Sequence, residues 1–571
     1  MKHLFLFLWL ILVGFSPVKG QNIPFSLPDG FPGVEVSGHT ANLQGSYFLN
    51  TFGVHPSHDS SWLMILDTTG FPLFYRMFHT LSSNFTVQEN TGTLTYYSLS
   101  DTAYHEMDGN FNLINIYKAK NGFITDGHEL RIQPDSSYWI LGKDIRVIDM
   151  SVLIEGGNPA ANVTGTVIQH ISKAGNVLFE WNSWDHFDIL DADTTIIHIK
   201  SSNFDFSHGN ALDIVDDSTI LLSSRSLNEI TKINTNNGNI IWRWGGKHNQ
   251  FTCLNDSVPF YAQHHIRYRG NGVYSLFDNG NMVLRPYSRA LVYSLNEDDK
   301  TTEVISDFNL NHEDFSRVMG CNQLLPNGNY QVGWSLNFEK NVLTEYDTGG
   351  NTVFSMTSVD TLGLVSYRAL KYNWTSTAFD VDEDTLEFES SVELGDTAFG
   401  SVHVTNNMQE TLLLNGFYCT DSAFRVATPL PITLNPGETV SVDVLFAPDS
   451  SMYYNSVLSL LSSNDTNLIG QQIRVTGTGE PMGVRNFNVA ENKLVVYPNP
   501  ASNKVYVRFD NKNEVVKSVA VFDLSGHQLI LKREINTTKA GLLDVSALPG
   551  GTYLIKVMSS GGIRAGKMVI L

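Results

Sequence analysis

The sequence predicts an all-β protein: a six-bladed β-propeller followed by two β-sandwich (Ig-like) domains. Three observations carry this. Short runs of Val, Ile, Thr, Tyr and Phe bounded by Asn, Asp and Gly fill the chain, while long stretches of 3.6-residue periodicity are hard to find. A strand–turn–strand theme headed by a polar residue begins near His208, His264 and Cys321, about 56 residues apart, with an earlier copy near His128 that carries a longer insertion. A period of that length implies radial repetition, and roughly 350 residues hold six blades of four strands, with one large β-sandwich as the alternative. From residue 378 onward the alternation becomes cleaner and two smaller modules follow.

The N-terminus reads as a signal peptide over residues 1–20. Lys2 and His3 open it, Leu4 to Phe15 form an apolar core, and Val18 and Gly20 occupy the small-residue positions of a cleavage site before Gln21. The core is too short for a membrane span, although an uncleaved anchor is the rival reading. No later stretch approaches the ~20 apolar residues that a spanning helix needs. The formal net charge of −21 argues against a nucleic-acid binder, which needs a basic face. An anion site in so acidic a protein must bring its own cations. Three cysteines, Cys253, Cys321 and Cys419, exclude a disulfide framework and show no CxxC metal pattern; a Cys253–Cys321 bridge stays open.

Residues 22–377 form the large unit. Its strand pairs are closed by turn sequences such as Asn236-Asn237-Gly238-Asn239, Gly270-Asn271-Gly272 and Pro326-Asn327-Gly328-Asn329. Residues 378–480 read as an Ig-like sandwich of about seven short strands. In it Asn435-Pro436-Gly437-Glu438 feeds the alternating run Val440 to Phe446. A polar linker, 481–491, leads to a last module, 492–571, read as a small sandwich ending in an edge strand, Gly566 to Leu571.

The residues able to do chemistry lie in the large unit. Propeller inner strands converge on one axial channel. His128, His208 and His264 each precede a strand of similar character, so equivalence brings three imidazoles to one mouth. Arg225 opens the outgoing limb of the hairpin that His208 begins, within reach of the same place. Three His and one Arg make a positive, donor-rich pocket suited to a tetrahedral oxyanion. Zinc is the rival occupant, weakened by the Arg225 charge and by the lack of close ligand spacing. Trp242 to Gly246 and Phe277 to Gly280 read as structural, a packed strand end and a hairpin turn. Tyr261 and Tyr268 are aromatic candidates for stacking on a ligand.

Taken in order, several segments resemble the bacterial arylsulfotransferases: Gly45 to Leu49, Met64 to Asp67, His208-Gly209-Asn210, Ser223-Ser224-Arg225, Trp242-Arg243, Gln263-His264, Phe277 to Gly280, Leu325 to Asn329 and Tyr367-Arg368. The resemblance covers about residues 30 to 375. It implies a six-bladed propeller that needs no metal or diffusible cofactor and moves a sulfuryl group from a phenolic sulfate ester to a phenol. It implies His264 as the nucleophile that becomes a sulfohistidine. His128 and His208 then bind the sulfuryl group or protonate the leaving phenol, Arg225 clamps the sulfuryl oxygens, and Asn210 joins the substrate-binding set. His265 directly follows His264 and is its rival for the nucleophilic role. The disulfide that some members carry before the nucleophile cannot form locally, since only Cys253 lies there. A non-catalytic propeller binding glycans or a surface partner, and an aryl sulfatase or phosphatase at the same pocket, are the alternative readings.

Residues 378–480 resemble the Ig-like family of abnormal-spindle and hydin proteins, which implies a spacer or interaction module. The segments Val496 to Ala501, Val521 to Gly526 and Leu548 to Val557 resemble the C-terminal sorting domain of the type IX secretion system of Bacteroidetes. That resemblance implies export through the periplasm by the type IX machinery, and a secreted or surface protein.

Overall fold

Turn chemistry builds the first unit hairpin by hairpin. Gly238 and Gly328 sit at φ 77° and 87°, and Asn271 and Gly272 at 52° and 73°, the left-handed region that tight turns require. The computed structural model describes residues 25–38, 45–51, 60–258, 260–337, 340–359, 364–481, 493–509, 515–532, 535, 537, 540–560 and 562–571. The predicted leader, and the linker beyond Pro481, lie outside them. The chain divides into two compact units after Pro481. No helix among the described residues is long and apolar enough to cross a membrane.

Among the described residues of the first unit, six antiparallel four-strand sheets succeed one another. Sheet I is Leu370–Tyr372, Ser46–Asn50, Ser61–Leu66 and Pro72–Phe78. Sheet II runs Ser82–Val87, Leu94–Ser98, Ala103–Met107 and Leu113–Tyr117. Sheet III is Ile124–Ile132, Tyr138–Ile148, Ala161–Ile171 and Val177–Asn182. Sheet IV is Gly209–Asp216, Thr219–Ser224, Glu229–Asn234 and Ile240–Gly245. Sheet V is His264–Tyr268, Val273–Asp278, Arg289–Asn296 and Thr301–Asn309. Sheet VI is Cys321–Leu324, Tyr330–Gly333, Asn341–Tyr346 and Thr352–Ser358, with Val34–Gly38 added outside.

The first strands of sheets II to VI touch in sequence order, and that of VI touches Leu370–Tyr372 of sheet I. The order is therefore radial. It closes with strands from both ends of the unit, an N-terminal strand on sheet VI and a C-terminal strand on sheet I. Each sheet buries both faces against its neighbours. In sheet IV, Ile220 and Leu222 pack toward Trp139 and Ile168 of sheet III, while Leu221 packs toward Ile266 and Leu276 of sheet V. Alternate side chains thus serve alternate neighbours, which is why the second strands Ser61–Leu66 and Thr219–Ser224 read as near-continuous apolar runs.

Residues 378–480 form a sandwich with its own core, around Phe379, Val402, Val444, Phe446 and Ile473. It is joined directly to the propeller-like array. Asn467, Leu468 and Ile469 pair antiparallel with Arg76, Tyr75 and Phe74, so Asn467–Glu480 extends sheet I beyond its outer strand. The Tyr418 ring stacks on Phe71 at 3.9 Å, and Gln472 Nε2 donates to Asp67 Oδ2 at 2.7 Å. An outer edge that would otherwise leave backbone groups unpaired is covered. The three cysteines are free thiols.

The second unit holds two sheets, Leu494–Tyr497, Lys504–Phe509 and Gly541–Asp544 in one, and Gln528–Lys532, Val516–Phe522, Gly551–Ser559 and Gly562–Ile570 in the other. They enclose Val505, Val507, Val519, Ile555 and Met568. Gly562–Ile570 is the outer strand of its sheet.

The stacked pair gives a direct test of the joint. Phe71→Ala and Tyr418→Ala are each expected to destabilise the protein, and a double-mutant cycle should return about 0.5–1.5 kcal/mol of coupling. Additive effects in urea unfolding would mean that the joint does not form in solution.

Candidate active site

Two local motifs set the first pair of histidines. In Asp126-Gly127-His128, one carboxylate oxygen of Asp126 accepts the His128 backbone N–H at 2.8 Å and also binds His128 Nδ1. Lys143 Nζ pairs with the other oxygen at 3.0 Å. Burial works to raise the Asp126 pKa, but His128 and Lys143 overcome it and hold the carboxyl well below its usual range. Gly127 allows the close approach, since a Cβ there would sit 2.6 Å from the Tyr97 ring. In Asp205-Phe206-Ser207-His208, Asp205 accepts the His208 N–H at 2.7 Å and lies 3.2 Å from Nδ1. His208 takes φ 45°, left-handed backbone that costs a non-glycine residue on the order of 1–3 kcal/mol. The two imidazoles meet edge to face at 4.9 Å, and Tyr367 packs on His128 at 5.5 Å.

The hairpin of sheet IV returns Arg225 to His208. Gly209 pairs with Ser224, and the Arg225 N–H donates to the His208 carbonyl at 3.0 Å. Arg225 Nε is buried without a hydrogen-bond partner, and among the described residues no carboxylate ion-pairs with this guanidinium. Burial, with Arg317 nearby, pushes its pKa down to about 10.

His264 begins the inner strand of sheet V and is almost wholly buried. Its Nδ1 faces two acceptors, Asn279 Oδ1 at 2.7 Å and the Ala262 carbonyl at 3.0 Å. The Asn279 amide orientation is fixed, because Nδ2 donates to the carbonyls of Ser316 at 2.8 Å and Met319 at 2.9 Å. Nδ1 therefore carries the proton and Nε2 the lone pair, which accepts the Met319 N–H at 3.2 Å. Burial first, then Arg225, drives the His264 pKa well below the ordinary imidazole value, so the ring is neutral.

His128, His208, His264 and Arg225 lie within electrostatic reach of one another. Asn210 is fully buried, and its Nδ2 donates to the carbonyl of Gln263, so it holds the backbone just before His264. His265 sits apart, its Nδ1 held by the Asn322 backbone at 3.2 Å. Tyr268 packs on Tyr274 at the opposite end of the inner strand, and Tyr367 is the aromatic residue beside the histidines. Trp242 is a packed strand residue, whereas Asn279, read from sequence as part of a turn, orients His264. Sequence reasoning also passed over Asp126, Asp205 and Met319. An aspartate two or three residues before each of His128 and His208 was the available signal; nothing in the sequence marks the Met319 N–H. No group of three or more His, Cys, Asp or Glu among the described residues is arranged to hold a metal ion.

Comparison with known proteins assigns the modules. Residues 88–359 match the model of the Arylsulfotransferase (ASST) family, and residues 495–571 match that of the secretion system C-terminal sorting domain. The latter, of the type IX system, marks the protein as secreted or displayed at the cell surface. No curated protein matches the sequence. Similar solved structures include a protein of unknown function from Bacteroides caccae, 11% identical, covering 58% of this chain and 99% of its own, at a TM-score of 0.37. A streptogramin B lyase structure is 11% identical over 57% of this chain and 98% of its own, with a TM-score of 0.27. The ASH / PapD-like domain of human CEP192 is 15% identical over 19% of this chain and 88% of its own, with a TM-score of 0.16.

The neutral, buried His264 and His265 make stability pH-dependent. Burial lowers both folded-state pKa values well below the ordinary value near 6.5, so on acidification the unfolded chain takes up protons that the native state refuses. Stability is present above pH about 6.5 and falls below it, by up to about 1.4 kcal/mol per pH unit for each imidazole. Unfolding measured between pH 7.5 and 5.5 should show this loss, and His265→Gln should flatten it. A pH-independent midpoint in that window would contradict the assignment.

Proposed function

Proceeding from an arylsulfotransferase-family domain at residues 88–359 on an exported chain, we propose that the protein transfers the sulfuryl group of an aryl sulfate ester to a second phenol through a covalent His264 intermediate. The observation that carries the reading is a neutral imidazole, with its lone pair on Nε2, near an Arg225 guanidinium that forms no ion pair with a carboxylate among the described residues. A buried cation without a partner is costly and is stabilised by an anion. The modules divide as residues 22–377 for chemistry, 378–480 as a brace on sheet I, and 492–571 as the export address.

In the first step the Nε2 lone pair attacks sulfur and the S–O ester bond breaks. The leaving phenolate takes a proton from whichever of His128 and His208 enters the step as an imidazolium, each oriented through Nδ1 by Asp126 or Asp205. Arg225 carries the charge on the sulfuryl oxygens. The sulfonated ring gains positive charge, which Asn279 Oδ1 and the Ala262 carbonyl offset through the Nδ1 proton. The Met319 N–H leaves Nε2 and turns to a sulfuryl oxygen. In the second step an acceptor phenol loses its proton to the same imidazole pair, its oxygen attacks sulfur, and the N–S bond breaks. Dividing the displacement into two lowers each barrier. Asn210 is a positioning residue in this scheme, acting through Gln263.

With a nitrophenyl sulfate donor, nitrophenol release should rise when phenol is added, and mass spectrometry should find a sulfuryl group on His264. His264→Ala should abolish both. Arg225→Gln should lower kcat/KM by about 10²–10³-fold. Asn279→Leu should lower kcat more than about tenfold with little change in donor KM. Release that ignores phenol identifies a sulfatase, and no release from any aryl sulfate by folded protein returns the site to a binding role.

A further inference from the structure

The inner strands continue past the histidines to a second cluster. Three residues beyond His128 lies Arg131, three and five beyond His264 lie Arg267 and Arg269, and directly after Tyr367 comes Arg368. These four guanidiniums, with Glu129 and Asp213, line a cavity of about 250 Å³ reached by residues from the innermost strand of every sheet. The cavity is not the histidine site: His128, His208, His264 and Arg225 are not among its walls.

The charges in the wall do not balance. Glu129 is shared by Arg267, at 2.9 Å, and Arg368, at 2.8 Å. Arg131 pairs with Asp213 at 3.4 Å. Arg269 meets only neutral acceptors, Ser275 Oγ at 2.9 Å and the Asn322 carbonyl at 3.0 Å, and no carboxylate among the described residues lies within ion-pair distance of it. The remaining acid of the wall, Glu89, is exposed at the rim, so four guanidiniums face three carboxylates. His265 also lines the cavity, and burial together with Arg267, Arg368 and Arg269 keeps it neutral. Burial first, then the Arg267 charge, push the Arg269 pKa down to about 10, outweighing the opposing pull of Asp213 and Glu89. In a chain of net charge −21, a concave surface with surplus guanidinium is an anion receptor.

We propose that this cavity is a second oxyanion site, separate from the histidine cluster, which takes a small tetrahedral anion such as sulfate or phosphate on Arg269 with Arg131 beside it. The site stands whether or not the histidine cluster transfers sulfuryl groups.

The test is calorimetric titration of the full-length exported protein with sodium sulfate and, separately, sodium phosphate, at low ionic strength with chloride as reference. Arg225→Gln silences the histidine site, and in that background one equivalent of anion should still bind. Arg225→Gln combined with Arg269→Gln should weaken this binding at least tenfold, while Arg269→Lys, which keeps the charge, should retain part of it. The ratio of sulfate to phosphate affinity then names the preferred anion. A selenate soak of wild-type crystals decides the matter if a variant fails to fold, with an anomalous peak expected within hydrogen-bond distance of Arg269. Absence of saturable binding in Arg225→Gln, binding that Arg269→Gln leaves intact, or selenate elsewhere only, would each overturn the proposal.

Discussion

Three sheets of the radial array are tied at its axis by one buried carboxylate. Glu129 of sheet III receives both oxygens' worth of hydrogen bonds from Arg267 of sheet V and from Arg368, just before the inner strand of sheet I. Burial works to raise its pKa, yet the two guanidiniums hold it at about 2. Removing Glu129 would leave two buried guanidiniums without their carboxylate, a loss of about 3–5 kcal/mol. The same network reaches the site, since Arg368 also donates to the carbonyl of His128 at 3.1 Å and to Asn84 Oδ1 at 3.2 Å. The geometry of the histidine cluster therefore depends on a salt bridge that takes no part in its chemistry.

The axis is divided into two ends with different electrostatics. At one end, Asp126 and Asp205 hold the Nδ1 atoms of two imidazoles, and the Arg225 guanidinium lies near a neutral His264. At the other, four guanidiniums face Glu129, Asp213 and, at the rim, Glu89. His264 and His265 are chain neighbours whose side chains enter different sites, His264 the histidine cluster and His265 the arginine-lined cavity. A register shift between His264 and Arg267, with φ 54° at His265, loosens the strand where this division is made.

The sandwich that follows the array is part of the same sheet system. By pairing with Phe74, Tyr75 and Arg76 it covers an edge close to the point where the radial array closes on itself. The ring closure at sheet I then rests on a strand from residue 370 onward on its inner side and on residues 467 to 469 on its outer side. A module read from sequence as a spacer or interaction module is also paired into the sheet that precedes it.

The amino-acid sequence by itself determined that the protein is all β, that its turns fall at Asn-Gly pairs and that it is addressed for export, and it pointed to His128, His208 and His264 at the heads of successive repeats with Arg225 on the return limb of the His208 hairpin. These are local properties: periodicity, turn residues and motif spacing need no knowledge of what lies across the fold. Only the tertiary structure decided that Asn279 sets the tautomer of His264, that Met319 offers its N–H to Nε2, that His265 turns to the other end of the channel, and that Asp126 and Asp205 orient the flanking imidazoles. Each depends on which backbone and side-chain atoms converge from different sheets. Hydrogen-bond direction and burial, which fix protonation, exist only once those atoms share a place from which water has been removed.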